Sequence, residues 1–299
     1  MKIAAVVVTF NRLSLLKKTV QCLKSTPSLD TIIIVNNGST DGTEEWLSEQ
    51  CGLTVIQQEN VGGSGGFHTG MKYAYEAGFD WIWCMDDDVF PAPDCLEKLL
   101  RQDRADTGIL CPRRMQNGRI FVNECRKVNL SNPFTSLHQQ KLSAEGINEP
   151  VSIMGMVFEG PLIKREVVEK IGYPNKDLFI FYDDTDYSYR TVLAGYKVMY
   201  VPDALLQKEQ FFTQNTWKEK QKKKKWKRMY QIRNSAYFNH HYGKNFFVRY
   251  GRAFQGVCGY MVLALCCAPF TDAYRLGDVK QFWTAYRNGI REQLGKIKN

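Results

Sequence analysis

Three adjacent carboxylates, Asp86, Asp87 and Asp88, follow the apolar run Trp81-Ile82-Trp83-Cys84-Met85 in this chain of 299 residues. The apolar run predicts a buried strand. Crowding like charges within a few ångströms at its end is costly unless a cation neutralises them. On an extended backbone Asp86 and Asp88 project to one side and Asp87 to the other. Two carboxylates on one side suit a hard divalent ion completed by substrate phosphates. A solvated acidic turn fits the same residues, because a bare Asp-x-Asp is a short motif. A second acidic group, Asp183-Asp184-Thr185-Asp186, follows Phe179-Ile180-Phe181-Tyr182. Acids packed together beside aromatic rings raise one pKa and keep a general base poised. Asp186 stands four residues before Arg190, a spacing that also reads as an ion pair on a helix surface.

Two other segments could meet a ligand through their backbone. Asn36-Asn37-Gly38-Ser39-Thr40-Asp41 closes one predicted strand and leads into a helix. Its amides and helix N-terminus suit a nucleotide, and with Ser39 or Asp41 as cap it is equally an ordinary strand-turn-helix junction. Asn60-Val61-Gly62-Gly63-Ser64-Gly65-Gly66 places four glycines in five positions, so the backbone can approach a ligand that any Cβ would exclude. It matches neither the phosphate loop ending in Gly-Lys-Ser/Thr nor the GxGxxG fingerprint, and a flexible loop fits it as well. His68, His138, His240 and His241 have no metal-ligand spacing with the acids.

Positioning these groups requires a scaffold, and the first 110 residues supply its pattern. Short β-rich runs, Ile3–Val8, Thr31–Val35, Leu53–Gln57 and Trp81–Met85, alternate with helical patterns over Leu13–Lys24, the segment after Ser39, and Gly70–Ala77. That alternation predicts a mostly parallel α/β sheet whose strands present their carboxyl ends, where ligands bind, along one edge. Cys95–Gln102 and Lys164–Ile171 read as helices, residues 113–150 as loops and edge strands, Leu178–Tyr182 as a strand and Lys197–Val201 as another. From about Phe211 the β patterns vanish and the chain reads as helical. Nine scattered cysteines without a CxxC pair argue against a zinc ribbon or disulfide framework and for free thiols in a reducing cytosol. The N-terminal apolar run is too short for a signal-peptide core, and Val257–Phe270 is shorter than the roughly 20 residues that span a bilayer.

Taken together, Val8-Thr9-Phe10-Asn11-Arg12, the Asn36–Asp41 turn, the Asn60–Gly66 loop, Asp86–Val89 and Phe179–Asp186 resemble the family 2 glycosyltransferases of the GT-A fold. Within that family the chain is similar to bacterial rhamnosyltransferases and galactofuranosyltransferases of cell-surface glycan assembly. The resemblance implies a GT-A domain over residues 1–210 and a helical extension over 211–299. It implies an inverting transfer from a nucleoside diphosphate sugar to a hydroxyl of a glycan or lipid-linked acceptor. Thr9, Asn36, Asn60, Gly62, Gly63, Gly65 and Gly66 would line the donor. Asp86 and Asp88 would hold Mg²⁺ or Mn²⁺ on its diphosphate, with Asp87 in support. Asp184 would be the general base, with Asp183 as the alternative, and Asp183 and Asp186 would face the acceptor.

Two positions depart from the pattern. Many relatives have Asp where this chain has Asn36, and often a metal-binding His where it has Lys208. An ammonium cannot coordinate a metal but contacts a diphosphate as a point charge. Two other classes share parts of this reading. A sugar-phosphate nucleotidylyltransferase would carry a Gly-rich, basic loop after the first strand, which is missing here. A non-catalytic glycan- or lipid-binding module need not keep the acids at 86, 88 and 184.

The net charge of +9 is concentrated, because Trp217–Arg228 holds eight basic residues and one acid. No nucleic-acid module is recognisable and the aromatics are too sparse for a stacking platform. An anionic membrane surface fits better, since it attracts a polybasic run by about 1 kcal/mol per residue. Phe246, Phe247, Tyr250, Phe254, Val257, Met261 and Leu265 recur at helical spacing, and this stripe either lies in a membrane interface or packs on a core. The expectation is a cytoplasmic protein, peripheral on the membrane, with no nucleic-acid partner.

Overall fold

Every residue of the first strand, β1 (Ile3–Thr9), is buried, and alternate side chains enter two different cores. A strand buried on both faces belongs inside a layered α/β sheet. The computed structural model describes residues 1–121, 125–141, 146–209, 217–270 and 274–297. After β1 come α1 (Leu13–Lys24), β2 (Thr31–Asn36), α2 (Thr43–Ser48), β3 (Leu53–Gln57), α3 (Gly62–Glu76), β4 (Trp81–Asp86), β5 (Val89–Pro91) and α4 (Cys95–Leu100). Then follow β6 (Thr107–Gln116), β7 (Arg119–Ile120), β8 (Cys125–Val128), β9 (His138–Lys141), β10 (Val151–Ile153), β11 (Leu162–Lys164), α5 (Arg165–Ile171), α6 (Asp183–Leu193) and β12 (Lys197–Lys208).

The main sheet runs β10-β12-β6-β11-β4-β1-β2-β3, with β5 beside β12 and β7 beside β6. Its β4-β1-β2-β3 half is parallel and β11 is antiparallel to both neighbours. Ala4, Val6 and Val8 face α3 through Phe67 and Met71. Ile3, Ala5 and Val7 face α1 through Leu16, Val20 and Leu23. The period of two along the strand and the helical stripe on α1 thus meet as the sequence pattern requires.

Two expectations change. The glycine run is the first turns of α3 rather than a loop. A Cβ on Gly66 would lie 2.5 Å from Val8 Cγ1 and one on Gly70 2.3 Å from Val6 Cγ1, so these glycines let the helix approach the sheet. The expected strand over Leu178–Tyr182 is instead a short 3₁₀ turn, Lys176–Leu178, followed by irregular backbone. β chains are interrupted there because Phe179, Phe181 and Tyr182 have φ of 67°, 66° and 67°.

The chain divides into two compact units. The first comprises Met1–Val128, His138–Lys176 and Asp184–Gln210, and the second Asn129–Leu137, Asp177–Asp183 and Phe211–Asn299. A division at residue 210 did not anticipate the two short segments that join the second unit. That unit is built from α7 (Trp217–Tyr242), α8 (Ala253–Cys267) and α9 (Gly277–Ile290), packed around Ile232, Ala236, Val257, Phe282 and Ala285. The stripe read from the sequence splits: Val257 is in this core, whereas Phe246, Phe247, Phe254 and Leu265 are exposed. Among the described residues, no helix is long and apolar enough to cross a membrane.

Candidate active site

β1, β2 and β4 end level with one another, because Val8 pairs with Asp86 and Thr9 with Asn36. The loops beyond them are tied together by side chains. Asn11 Oδ1 accepts from Thr40 N at 2.7 Å, Ser39 Oγ from Asn11 N at 3.0 Å, and Asp41 Oδ2 from Leu13 N at 2.9 Å. Asp41 thus serves the first turn of α1 and, through its other oxygen, accepts from Thr43 Oγ1 at 2.5 Å at the start of α2. Asn36 is buried, donates to Gln57 at 2.7 Å and accepts from Ser39 N at 3.1 Å. Asn60 Oδ1 accepts from Gly62 N at 3.0 Å. Of the glycines expected to line a ligand, Gly63 has nothing within 4 Å of a built Cβ, whereas Gly65 meets Val61 and Gly66 meets Val8. Gly62, at φ 81°, makes the turn into α3.

A turn at Asp87–Asp88 ends β4, so these two acids do not point to opposite sides as an extended backbone would require. Arg12 Nη1 reaches both, at 3.2 Å from Asp87 Oδ1 and 3.1 Å from Asp88 Oδ2. Thr9 Oγ1 donates to Asp87 Oδ2 at 2.7 Å, so its hydroxyl is committed within the cluster. Thr19 Oγ1 of α1 donates to the carbonyls of Asp87 at 2.8 Å and Val89 at 3.2 Å. β12 pairs its Lys208 with Val89, and Glu209 N donates to Asp88 O at 3.0 Å. This brings the Lys208 ammonium to 3.5 Å from Asp88 Oδ1 and into an ion pair with Glu159. Glu159 is also paired with Arg114 of β6.

Among the described residues, the carboxyl groups of Asp86, Asp87, Asp88 and Glu159 thus gather with Arg12, Lys208 and Arg114. Burial, then the charges of Asp88 and Glu159, push the Asp86 carboxyl well above the usual carboxylate range. Burial also pushes Asp87 up, to about 6, against the pull of Arg12 and Thr9. Burial opposes ionisation of Glu159 too, but Arg114 and Lys208 outweigh it and hold its carboxyl low. For Lys208 burial is likewise outweighed, by Glu159 and Asp88, and the ammonium is strengthened. Asp88 Oδ1 is buried and receives no hydrogen bond.

That buried oxygen, without a hydrogen bond and with the Lys208 ammonium 3.5 Å away, fits a divalent cation beside Asp86 and Asp88. Among the described residues no group of three or more His, Cys, Asp or Glu could hold a metal ion by itself. The residues therefore fit an ion that takes two protein carboxylates and draws its other ligands from a bound diphosphate. Arg12, Glu159 and Arg114 were not assigned roles from the sequence. Arg12 lies within the quoted Val8–Arg12 motif, but Glu159 and Arg114 carry no spacing signal, since pairing of β6 with β12 brings Arg114 beside Lys208 and the bend before β11 brings Glu159.

The second acidic group is held differently. Asp186 is buried and bonded to Arg190 Nε at 2.8 Å, while Arg190 also donates to the carbonyls of Ile171 and Tyr173. The pairing expected from their spacing is present, and Asp186 is occupied inside the first unit rather than open to an acceptor. Asp184 is half-buried in the first turn of α6, where its Oδ1 accepts from Thr185 N at 2.6 Å. Asp183 is buried. Just before them, within the second unit, the left-handed residues Phe179, Phe181 and Tyr182 are each in a conformation costing about 1–3 kcal/mol. Asn234 Nδ2 of α7 lies 2.9 Å from each of the carbonyls of Leu178, Ile180 and Phe181. Arg233 Nη2 donates to Leu178 O at 3.0 Å and Asp177 O at 3.2 Å, and Arg233 Nη1 to Gly295 O. Phe179 stacks on Tyr230 with centroids 4.8 Å apart. The irregular backbone is thus clamped by buried polar side chains some fifty residues later, a relation no local motif reveals.

A family model for glycosyl transferase family 2 matches residues 4–172. The galactofuranosyltransferase GlfT1 of Mycolicibacterium smegmatis is 27% identical over 210 residues, which is 64% of this chain and 66% of that protein. The poly-beta-1,6-N-acetyl-D-glucosamine synthase of Staphylococcus aureus is 25% identical over 181 residues, 58% of this chain and 41% of that one. The chain thus spans less than two thirds of the length of these curated relatives. Among solved structures, S. aureus TarS 1–349 is similar with a TM-score of 0.59 at 14% identity, covering 98% of this chain and 82% of that one. The mannosyltransferase PcManGT of Pyrobaculum calidifontis, solved with GDP-Man and Mn²⁺, gives 0.52 at 13% identity over 98% and 88%. At these identities the likeness concerns the fold, a mostly parallel sheet flanked by helices of the GT-A type.

Proposed function

Because this chain belongs to glycosyl transferase family 2, we propose that it moves a sugar, with inversion, from a nucleoside diphosphate sugar to a hydroxyl of a glycan or lipid-linked glycan acceptor. The process served is cell-surface polysaccharide synthesis, as the names of its relatives suggest. The observation that carries the reading is the buried Asp88 Oδ1, which receives no hydrogen bond, in an acidic cluster at the carboxyl end of the parallel strands.

A sugar hydroxyl is a poor nucleophile at neutral pH, so a carboxylate must accept its proton as the new bond forms. Asp184 takes that proton, the hydroxyl oxygen bonds to the anomeric carbon, and the bond to the diphosphate oxygen breaks on the opposite face. Asp183, buried in the preceding position, is the alternative base and acceptor contact. Asp86 and Asp88 would hold a divalent ion, Mg²⁺ or Mn²⁺. When bound, that ion supplies positive charge to offset the charge growing on the departing diphosphate. Lys208, held by Glu159, adds a point charge at the same place and supplements the ion. Arg12 keeps Asp87 and Asp88 oriented. Thr9, Asn36 and Asn60 shape the donor end, chiefly by fixing the loops around it, and Gly63 offers open backbone beside them. The protein works on the cytoplasmic face of a membrane, as a peripheral protein.

A thermal-shift panel of nucleoside diphosphate sugars, each with and without Mn²⁺, tests this directly, because a ligand specific to the native state raises its stability. At least one donor should raise the midpoint, more so with Mn²⁺, and the purified protein should hydrolyse or transfer from that donor. A panel without any shift would overturn the reading. Lys208→Ala should weaken the donor shift, and a variant with unchanged donor affinity and turnover would remove Lys208 from the site.

A further inference from the structure

From Phe211 onward the chain carries 18 of its 40 lysines and arginines but only 4 of its 31 aspartates and glutamates. That segment is net positive by 14 and the preceding 210 residues net negative by 5, which together make the +9 of the whole. Within the positive segment, α8 contains no charged residue at all. At about 100° per residue, its buried residues Ala253, Val257 and Ala264 fall on one side. Phe254, Val262 and Leu265 fall on the other, the last two 58% and 49% exposed. The arc from Phe254 round to Gly259 also holds the half-buried Cys258 and the exposed Cys266, and Gln255 is its one strongly polar side chain. α8 packs Ala253, Val257 and Ala264, with the partly buried Tyr260, Met261 and Leu263, on the core of its unit and still leaves Phe254, Val262 and Leu265 in contact with water, an apolar face without cover among the described residues.

The apolar surface continues at both ends of this helix. A π-helical stretch, Phe247–Arg252, runs into α8 at helical backbone angles, and at its start Phe246 and Phe247 are 69% and 66% exposed. Exposed Lys244 and Arg249 flank these two rings in sequence. Beside Phe254 stands the exposed Trp283 of α9, with ring centroids 6.2 Å apart. Large exposed apolar side chains and an excess of cations thus occur together in one unit.

We propose that this face of the second unit is a docking surface for an anionic lipid bilayer, which gives the peripheral placement proposed for the protein its residues. Phe254, Val262 and Leu265 enter the acyl boundary while the exposed Lys244 and Arg249, beside Phe246 and Phe247 in sequence, meet lipid phosphates. A second copy of the chain is a poorer occupant, because it would bring two segments of charge +14 together. A nucleic acid would use the cations but has no use for exposed aliphatic side chains. α8 lies on the bilayer rather than crossing it, as no described helix is long and apolar enough to span one.

Vesicle co-sedimentation of the full chain tests the assignment. At about 0.1 M salt, the protein should pellet with phosphatidylcholine vesicles containing about one third phosphatidylglycerol, at least about tenfold more strongly than with phosphatidylcholine alone. The double variant Val262→Asp, Leu265→Asp should lose at least about tenfold in partition, with an unchanged melting midpoint because both side chains are exposed. Should that pair fold poorly, Phe246→Ser with Phe247→Ser supplies a second test at the other end of the surface. Wild-type protein that stays in the supernatant, or folded variants that pellet like wild type, would overturn the proposal. So would light scattering that finds a dimer abolished by the same substitutions, or a polyanionic oligonucleotide that binds while vesicles do not. Hydrolysis of a soluble donor should be the same in wild type and variants, which separates failure of this surface from failure of the catalytic reading.

Discussion

The acids at 86–88 and those at 183–186 are both crowded, yet the chain holds them by different means. Asp87 and Asp88 are tied by Arg12, and Asp88 and Glu159 by Lys208, so the first group depends on opposite charges delivered from β6, β12 and the start of α1. The backbone leading to the second group depends on neutral hydrogen bonds, in which Asn234 and Arg233 hold carbonyls of a strained turn. A charge-held cluster accommodates an incoming ion or diphosphate by redistributing its pairs. A backbone held in sparsely populated conformations fixes a position, and such strain persists only where its surroundings over-determine it.

Substitutions in the two regions should therefore fail differently. Asp184→Asn should lower turnover by about a thousandfold while donor binding, read by thermal shift, is unchanged; substantial remaining turnover would remove Asp184 as the base. Next in size, Glu159→Gln leaves Arg114 and Lys208 without their buried partner and should cost about 3 kcal/mol in chemical denaturation. A stability equal to wild type would show that charge does not hold the first region. Asn234→Ala removes a buried amide from three carbonyls and should lower kcat by about tenfold, about 1.4 kcal/mol in the barrier, with the donor KM unchanged. If KM rises and kcat does not, the clamp serves the donor rather than the base.

The smallest effect concerns pH. The folded carboxyl of Glu159 lies below its unfolded value of about 4.3, so its contribution to stability is present above that value and is lost as pH falls through the folded pKa. Urea titrations across this acid range should show a steeper loss of stability in wild type than in Glu159→Gln. Parallel slopes would place the acid sensitivity elsewhere.

Much of the first unit was legible because its signals are local. The helix read over Leu13–Lys24 is present with those bounds, as is the strand Leu53–Gln57, since apolar period and turn residues specify both. The glycine run was misread as a loop because glycine is equally suited to a ligand and to close helix packing, and only Val8 and Val6 across the contact tell which. The Leu178–Tyr182 segment was misread as a strand because its aromatic residues favour β structure, while the side chains that override that preference come from α7.

By itself the sequence determined the alternation of strands and helices, the two acidic groups and the concentration of positive charge after residue 210, because each is carried by neighbours along the chain. Only the tertiary structure decided that Glu159 and Arg114 complete the first acidic group, that Asn234 secures the approach to the second, and that α8 leaves Phe254, Val262 and Leu265 exposed. Those outcomes depend on sheet order and helix packing, which join residues whose separation in sequence leaves no periodic trace.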